Sequence, residues 1–138
     1  MSRKSQSLIA AGKIKPIEWN ISKEEAAQAL SNFGVPVREV KKVTCLKHQV
    51  CVSYWDMDGK VCCSFFSYRI FARWQKAVEQ LIQNCHTFGE WDRLGDVIQY
   101  DLLRFRYPVE MANKIWDMLK NRCYQIRTDL QMADALAV

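Results

Sequence analysis

The chain has 138 residues, of which 49% are apolar and 12% aromatic, including five tryptophans. This length and composition are typical of one globular domain with its own core, and the aromatic content excludes a disordered chain. No apolar run could cross a membrane, and the apolar patch at residues 8–11 is too short for a signal-peptide core. We therefore expect a cytoplasmic protein without a membrane partner.

The net charge of +5 is concentrated in the first third of the chain. Residues 1–50 carry nine Lys and Arg against four Asp and Glu, whereas residues 51–138 carry eleven of each. Such an asymmetry favours a polyanionic partner. The alternative is that these lysines only solvate a tail and protect an edge strand from pairing with other chains.

Residues 1–15 are polar and basic without clear periodicity, which predicts a flexible basic arm. Residues 16–138 are predicted to form a single α+β domain, with a sheet layer at 16–86 and a helical layer at 87–138. Its first helix begins at a capping box, in which Ser22 is the N-cap and Glu25 reaches back to the Ser22 amide. Gly34, followed by Pro36, ends this helix.

A three-stranded antiparallel meander is predicted next. The first strand, at 37–46, carries Lys41 and Lys42, which suit an edge position. A hairpin at 49–68 then turns at Asp58-Gly59, and a two-residue turn places Tyr54 opposite Cys63.

This register assigns the hairpin side chains to two faces, because side chains alternate along a strand. The predicted core face consists of Val50, Val52, Tyr54, Val61, Cys63 and Phe65. The second face consists of Cys51, Ser53, Trp55, Cys62, Ser64 and Phe66. We expect the later helices to cover this second face; if they do not, Trp55 and Phe66 could act as stacking platforms.

Three helices are predicted to follow the sheet. Apolar residues recur at helical spacing from Arg69 to Cys85 and again from Trp91 to Phe105. After Pro108, a 4-3 spacing over about three heptads predicts a long last helix.

Residues with catalytic or metal-binding chemistry are few. Cys45, His48 and Cys51 are of types that zinc accepts, but Cys62 would lie ~13 Å from Cys51 along the ladder, so no metal is expected. The six cysteines are predicted to be buried thiols rather than disulfides. Neither a phosphate-binding glycine loop nor a nucleophile motif is present, so we expect neither an enzyme nor a cofactor.

The hypothesis favoured by the sequence is a non-catalytic nucleic-acid-binding accessory or regulatory protein. The order helix, three strands, helix over residues 22–85 is similar to that of double-stranded-RNA-binding domains. However, Ser67-Tyr-Arg-Ile-Phe stands where those domains have Lys-Lys-x-Ala-Lys, and element order does not imply function. The predicted phosphate contacts are Lys4, Lys13, Lys15, Lys41, Lys42, Lys47, Arg69, Arg73 and Lys76.

The alternative hypothesis is an adaptor or inhibitor that binds another protein through the C-terminal helices. Under either hypothesis, the long apolar stripe of the last helix predicts a homodimer with a two-fold interface. The interface residues would be Ala112, Trp116, Leu119, Cys123, Ile126 and Leu130. An antiparallel hairpin with the preceding helix of the same chain explains this stripe equally well.

Overall fold

The structure, a computed structural model, describes residues 6–136 and has the predicted mixed α+β architecture. In chain order its main elements are α1 (Lys23–Asn32), β1 (Glu39–Cys45), β2 (Val50–Trp55), β3 (Val61–Phe66), α2 (Ala72–Gln83), α3 (Phe88–Arg104) and α4 (Val109–Leu136). Short 3-10 turns at Pro16–Glu18 and Tyr68–Ile70 precede α1 and α2. The predictions of a three-stranded antiparallel sheet and a long last helix are confirmed.

Helix α1 begins and ends as local sequence rules predict. The Ser22 hydroxyl accepts a hydrogen bond from the Glu25 amide at 3.0 Å. The Glu25 carboxylate does not reach back to Ser22; it instead accepts from Arg73 at 2.6 Å. Gly34 has φ +91°, and the next amide, of Val35, bonds the Leu30 carbonyl, which is the Schellman ending.

A β-bulge explains the irregular pattern of the first strand. Val40 pairs with Tyr54 and Val43 pairs with Val52, so Lys41 is an extra residue without a partner. The bulge turns Val40 and Val43, although three residues apart, toward the same side of the sheet. Lys42 and Thr44 consequently point to the opposite side.

The turn of the hairpin is longer than predicted. The Gly59 amide donates to the Asp56 carbonyl at 3.0 Å, and the Asp56 amide donates to the Lys60 carbonyl at 2.9 Å. Asp56 at the first position and Gly59 at the fourth, with φ +80°, make a type I turn with a glycine bulge. The loop therefore has three residues, Met57, Asp58 and Gly59, and the predicted two-residue turn is wrong.

One extra loop residue shifts the register of β3 by one position. Tyr54 pairs with Cys62 and Cys51 pairs with Phe65, rather than with Cys63 and Phe66. A shift of one residue moves every side chain of a strand to the other face. The face toward the core is therefore formed by Val50, Val52, Tyr54, Cys62, Ser64 and Phe66.

The later helices do not sandwich the sheet, contrary to prediction. Helix α1 packs against β1, whereas α3 and α4 pack together and against α2. The second sheet face stays open, as Val61 and Phe65 on it are 57% and 58% exposed. The largest fully buried side chains include Leu30, Tyr68, Phe71, Trp74, Ile82, Ile98, Ile115 and Ile126.

The prediction of a flexible arm is wrong for residues 6–15. Leu8 is fully buried, Ile9 and Ile14 are nearly so, and the Leu8 amide donates to the Asp101 carboxylate at 3.0 Å. These three apolar side chains supply the packing that orders the segment. Lys4 and the rest of residues 1–5 lie outside the described residues.

Candidate nucleic-acid interface

The second sheet face carries aromatic, apolar and basic side chains at its surface. We call it the open face; it consists of Glu39, Lys42, Thr44, Cys51, Ser53, Trp55, Val61, Cys63 and Phe65, with Lys41 at its bulged edge. Trp55 is half-buried, while Phe65 is more than half exposed. An exposed apolar patch of this kind marks a binding surface more often than a scattered single residue does.

Charged side chains of both signs lie around Trp55 at one end of the open face. The bulge places the Lys41 ammonium 5.6 Å from the centroid of the Trp55 ring, within the range of a cation–π interaction. Trp55 also lines a recess of about 310 Å³ together with Arg38, Glu39 and Gly59. Arg38 was not among the predicted phosphate contacts, although it begins the same basic segment.

The two aromatic rings of the open face are spaced along the strands. Phe65 pairs with Cys51, which is four residues from Trp55 on β2, so the rings lie ~13 Å apart along the ladder. Aromatic rings on an uncovered sheet offer flat surfaces on which unpaired bases stack. Lys41 and Lys42 at the edge could then contact the phosphates of the same strand.

The structure corrects the predicted pair of stacking platforms. Trp55 does lie on the open face, but Phe66 is half-buried on the face that packs against the core. Phe65 takes its place because the register of β3 differs by one residue. Sequence reasoning could have found Phe65, since Asp56 and Gly59 occupy the two positions that a type I turn prefers for Asp and Gly.

The predicted phosphate-contacting lysines do not form one surface. Lys41 and Lys42 border the open face, whereas Lys15 and Lys47 line a separate recess of about 350 Å³ together with Ile9, Ile14 and Ile17. Lys13 and Lys76 are exposed elsewhere, on the N-terminal segment and on α2. The described basic residues therefore divide into at least two groups.

The assignment of Arg69 to phosphate contact is wrong. Its side chain is 2% exposed, and its guanidinium donates to both Asp101 carboxylate oxygens, at 2.6 and 2.7 Å. It also stacks on Trp74 and Phe105, at 4.6 and 3.7 Å from the ring centroids. Arg73, one helical turn later, is partly exposed, but its charge is paired with Glu25.

A closed hydrogen-bond network surrounds Asp101. Besides Arg69, the carboxylate accepts from the Leu8 amide and from the Tyr107 hydroxyl, and Trp74 Nε1 donates to the Tyr107 oxygen at 3.0 Å. Burial, and then the negative charge of Asp101, raise the pKa of Tyr107 above its ordinary value. Every buried side-chain nitrogen and oxygen among residues 6–136 has a partner. The network therefore holds the fold together.

A groove of about 650 Å³ lies between α3 and α4. Three aromatic side chains line it, with acidic groups on α3 and basic groups on α4. Its lining comprises Trp91, Asp92, Gly95, Asp96, Gln99, Trp116, Leu119, Lys120, Cys123, Tyr124 and Arg127.

The predicted interface stripe on α4 is divided between this groove and the core. Leu119 and Ile126 are 5% and 1% exposed, so they belong to the core and not to an interface. Trp116 and Leu130 are exposed, while Ala112 and Cys123 are half-buried. Helix α3 packs against part of the stripe, and Trp91 Nε1 on α3 donates a hydrogen bond to the Leu119 carbonyl at 2.8 Å. The hairpin explanation is confirmed for that part.

The six cysteines are free thiols, but their burial differs from the prediction. Cys85 is buried, four are half-buried, and Cys63 is exposed. The Cys45 thiol donates to the Trp19 carbonyl at 3.4 Å, and the Cys51 sulfur lies 3.3 Å from the Cys63 sulfur. In the part of the chain that the structure describes, no three His, Cys, Asp or Glu side chains come together as metal ligands.

Comparison of the chain with protein-family models, with curated proteins and with solved structures finds no match.

Proposed function

We propose that this protein binds single-stranded nucleic acid, without catalysis, through the open face of its sheet. The observation that carries the proposal is an uncovered pair of aromatic side chains, Trp55 and Phe65, with Lys41 and Lys42 along the same edge. Stacking on aromatic rings and contact of cations with phosphates are the two elements of sequence-tolerant single-strand binding.

A single strand fits this surface better than a duplex does. Bases in a duplex are stacked on each other and cannot lie on Trp55 or Phe65, whereas those of a single strand can be splayed out. The ~13 Å separation of the rings leaves room for a strand that follows the sheet, with its phosphates toward Lys41 and Arg38. The group at Lys15 and Lys47 would add phosphate contacts at a second place.

A non-catalytic role in the cytoplasm completes the proposal. Asp101, the one buried carboxylate among residues 6–136, is inaccessible to a substrate because Arg69, Tyr107 and Leu8 already engage it. Six free thiols suit a reducing compartment. No helix within the described range combines the length and apolar character needed to cross a bilayer.

The test is a fluorescence-anisotropy titration of the full chain with labelled single-stranded RNA, single-stranded DNA and duplexes, over a series of salt concentrations. We expect single strands to bind more tightly than duplexes, with an affinity that falls as salt rises. Phe65→Ala should weaken binding ~5- to 150-fold, corresponding to the ~1–3 kcal/mol of one stacked base. Phe33→Ala, at an exposed aromatic residue that ends α1, is the matched control.

Two results would contradict the proposal. One is equal affinity of wild type and Phe65→Ala for every probe, which would remove the aromatic platform. The other is binding that disappears above ~0.05 M salt without preference for any probe, which would reduce the basic groups to incidental charge.

The groove between α3 and α4 supports a second candidate function, an adaptor or inhibitor that binds protein and forms a homodimer. Trp116 and Tyr124 are exposed along it. Asp92 and Asp96 face Lys120 across the groove, so a two-fold arrangement could bring opposite charges of two copies together.

Gly95 provides a selective test of the groove. It lies within α3 and lines the groove, and a Cβ added there meets nothing within 4 Å, so a side chain at this position starts from open space. Gly95→Leu should abolish a dimer seen by analytical ultracentrifugation, whereas Gly95→Ala should retain it. A monomeric wild type at high concentration would contradict the dimer.

A further inference from the structure

Two cysteines stand side by side at the centre of the open face. The sulfur atoms of Cys51 on β2 and Cys63 on β3 are 3.3 Å apart. Cys63 is exposed and Cys51 is half-buried, so reagents in solution can reach the pair. Neither the fold nor the proposed function requires two thiols at this place.

The other cysteines with a polar partner contact oxygen atoms instead. Cys45 donates to the Trp19 carbonyl, and Cys85 donates to the Leu81 carbonyl from a buried position. Cys62, although adjacent to Cys63, lies on the opposite face of β3, with its sulfur 3.8 Å from the Asp56 carboxylate. Alternation along the strand thus selects Cys63, and not its neighbour, as the partner of Cys51.

We propose that Cys51 and Cys63 form a reversible dithiol–disulfide site that exchanges with small disulfides such as oxidised glutathione. The exposed Cys63 thiolate attacks one glutathione sulfur, which breaks the glutathione disulfide and releases one reduced glutathione. Cys51, after loss of its proton, then attacks the Cys63 sulfur, forms the Cys51–Cys63 bond and displaces the second reduced glutathione. One disulfide is consumed and one is formed, so the electrons balance.

The position of the pair in the sheet makes the resulting bond easy to reduce. Cys51 pairs with Phe65 and Cys63 pairs with Ser53, so the two cysteines are diagonal neighbours. Diagonal Cα atoms lie roughly 7–8 Å apart, beyond the upper limit of about 6.8 Å for an unstrained disulfide, so the two strands must shift toward each other when the bond closes. Strained and exposed disulfides have more oxidising potentials than structural ones. The site is therefore a reversible modification site and not a structural crosslink.

The closeness of the thiols also affects the order of the steps. The hydrogen bond with Cys63, and secondly burial, raise the pKa of Cys51 above that of a free cysteine. A thiol with a raised pKa is the poorer first nucleophile, which suits Cys51 as the residue that resolves the mixed disulfide. The exposed Cys63 is then the residue that reacts first.

The test uses the folded full chain, oxidised glutathione, and mass spectrometry after alkylation and tryptic digestion. Cleavage after Lys47, Lys60 and Arg69 places Cys51 in peptide 48–60, and both Cys62 and Cys63 in peptide 61–69. We expect a disulfide between these two peptides, and we expect an excess of reduced glutathione to remove it.

Serine variants identify the partner. The link should be lost in Cys63→Ser and retained in Cys62→Ser, and Cys51→Ser should carry glutathione on Cys63. Cys62→Ala is a second control, because it places no polar group on the covered face. Circular dichroism verifies that each variant is folded.

Any result of the mass-spectrometric experiment other than those expected above overturns the inference. Glutathione on both Cys51 and Cys63 without a link would show that the sulfurs cannot join. A link that survives in Cys63→Ser and is lost in Cys62→Ser would place Cys62 beside Cys51. The inference does not depend on nucleic-acid binding, so the two proposals can fail separately.

Discussion

Cations lie against aromatic rings both in the interior of this protein and at its surface, and one contact of each kind shows what the surroundings of the cation decide. Inside, Arg69 stacks on Trp74 and Phe105 while Asp101 accepts two of its hydrogen bonds. Outside, Lys41 lies over Trp55 and no carboxylate lies within ion-pair distance of it among the described residues. In one place the cation and the ring belong to the packed interior, and in the other they lie at the surface.

The difference between the two places is the completeness of their hydrogen bonding. The interior cluster joins the N-terminal segment, the turn before α2, helix α3 and the loop before α4, and each of its polar atoms has a partner. Removing either Arg69 or Asp101 leaves the other charged and buried without its counter-charge. The surface pair has water as its alternative partner, so its loss costs the fold little.

The largest effect is expected from Asp101→Ala. It leaves the Arg69 guanidinium buried without its counter-charge, which should lower the free energy of unfolding by about 3–5 kcal/mol in urea denaturation. The double variant Arg69→Met/Asp101→Leu should recover the part of this loss that comes from the unpaired charge, whereas the Leu8 amide and the Tyr107 hydroxyl still lack their acceptor. A single variant as stable as wild type would show that water reaches the cluster.

Tyr107→Phe should have a smaller effect on stability and a distinct pH dependence. It removes a donor to Asp101 and the acceptor of Trp74 Nε1, at a cost of about 1–3 kcal/mol. The raised pKa of Tyr107 means that the unfolded chain loses the tyrosine proton first, at roughly pH 10, so wild-type stability should fall as pH rises above that value. The variant should show a shallower fall in alkaline denaturation, and an unchanged slope would contradict this role.

The basic edge of the open face is tested by charge reversal at Lys41 and Lys42. The double variant to Glu should weaken binding of single strands of any sequence and reduce the slope of log K against log salt by about two. Its thermal midpoint should stay near that of wild type. Reversal of the exposed pair Arg106 and Lys114 imposes the same change in net charge and serves as the control. Equal effects of the two double variants would show that only net charge matters.

The smallest effect is expected from Lys41→Met on the stability of the protein alone. An exposed cation–π contact contributes about 0.5–1 kcal/mol, so the loss should not exceed that amount in a urea titration. If Lys41→Met lowered the free energy of unfolding as much as Asp101→Ala does, the contrast between the interior cluster and the surface pair of Lys41 and Trp55 would be removed.

Local sequence rules predicted the elements of this fold well. Ser22 and Gly34 bound the first helix, and the apolar periodicities located α2, α3 and α4, because caps and amphipathic stripes depend on residues within a few positions. The hairpin was also predicted, but its register was not. The loop between Asp56 and Lys60 has three residues, one more than the predicted turn at Asp58-Gly59, and this extra residue shifts the pairing of β3 by one position. That one residue decides that Phe65, and not Phe66, faces outward.

The candidate site could be predicted only in part. The sequence by itself determined the helices, the strands, the basic segment around Lys41 and the presence of paired aromatic residues in the hairpin. Only the tertiary structure decided that α3 and α4 pack on α2 and leave one sheet face open, and that Arg69 is buried while Arg73 is not. These outcomes depend on partners distant in sequence, since Asp101 lies 32 residues from Arg69, and no local pattern encodes which charge will meet it.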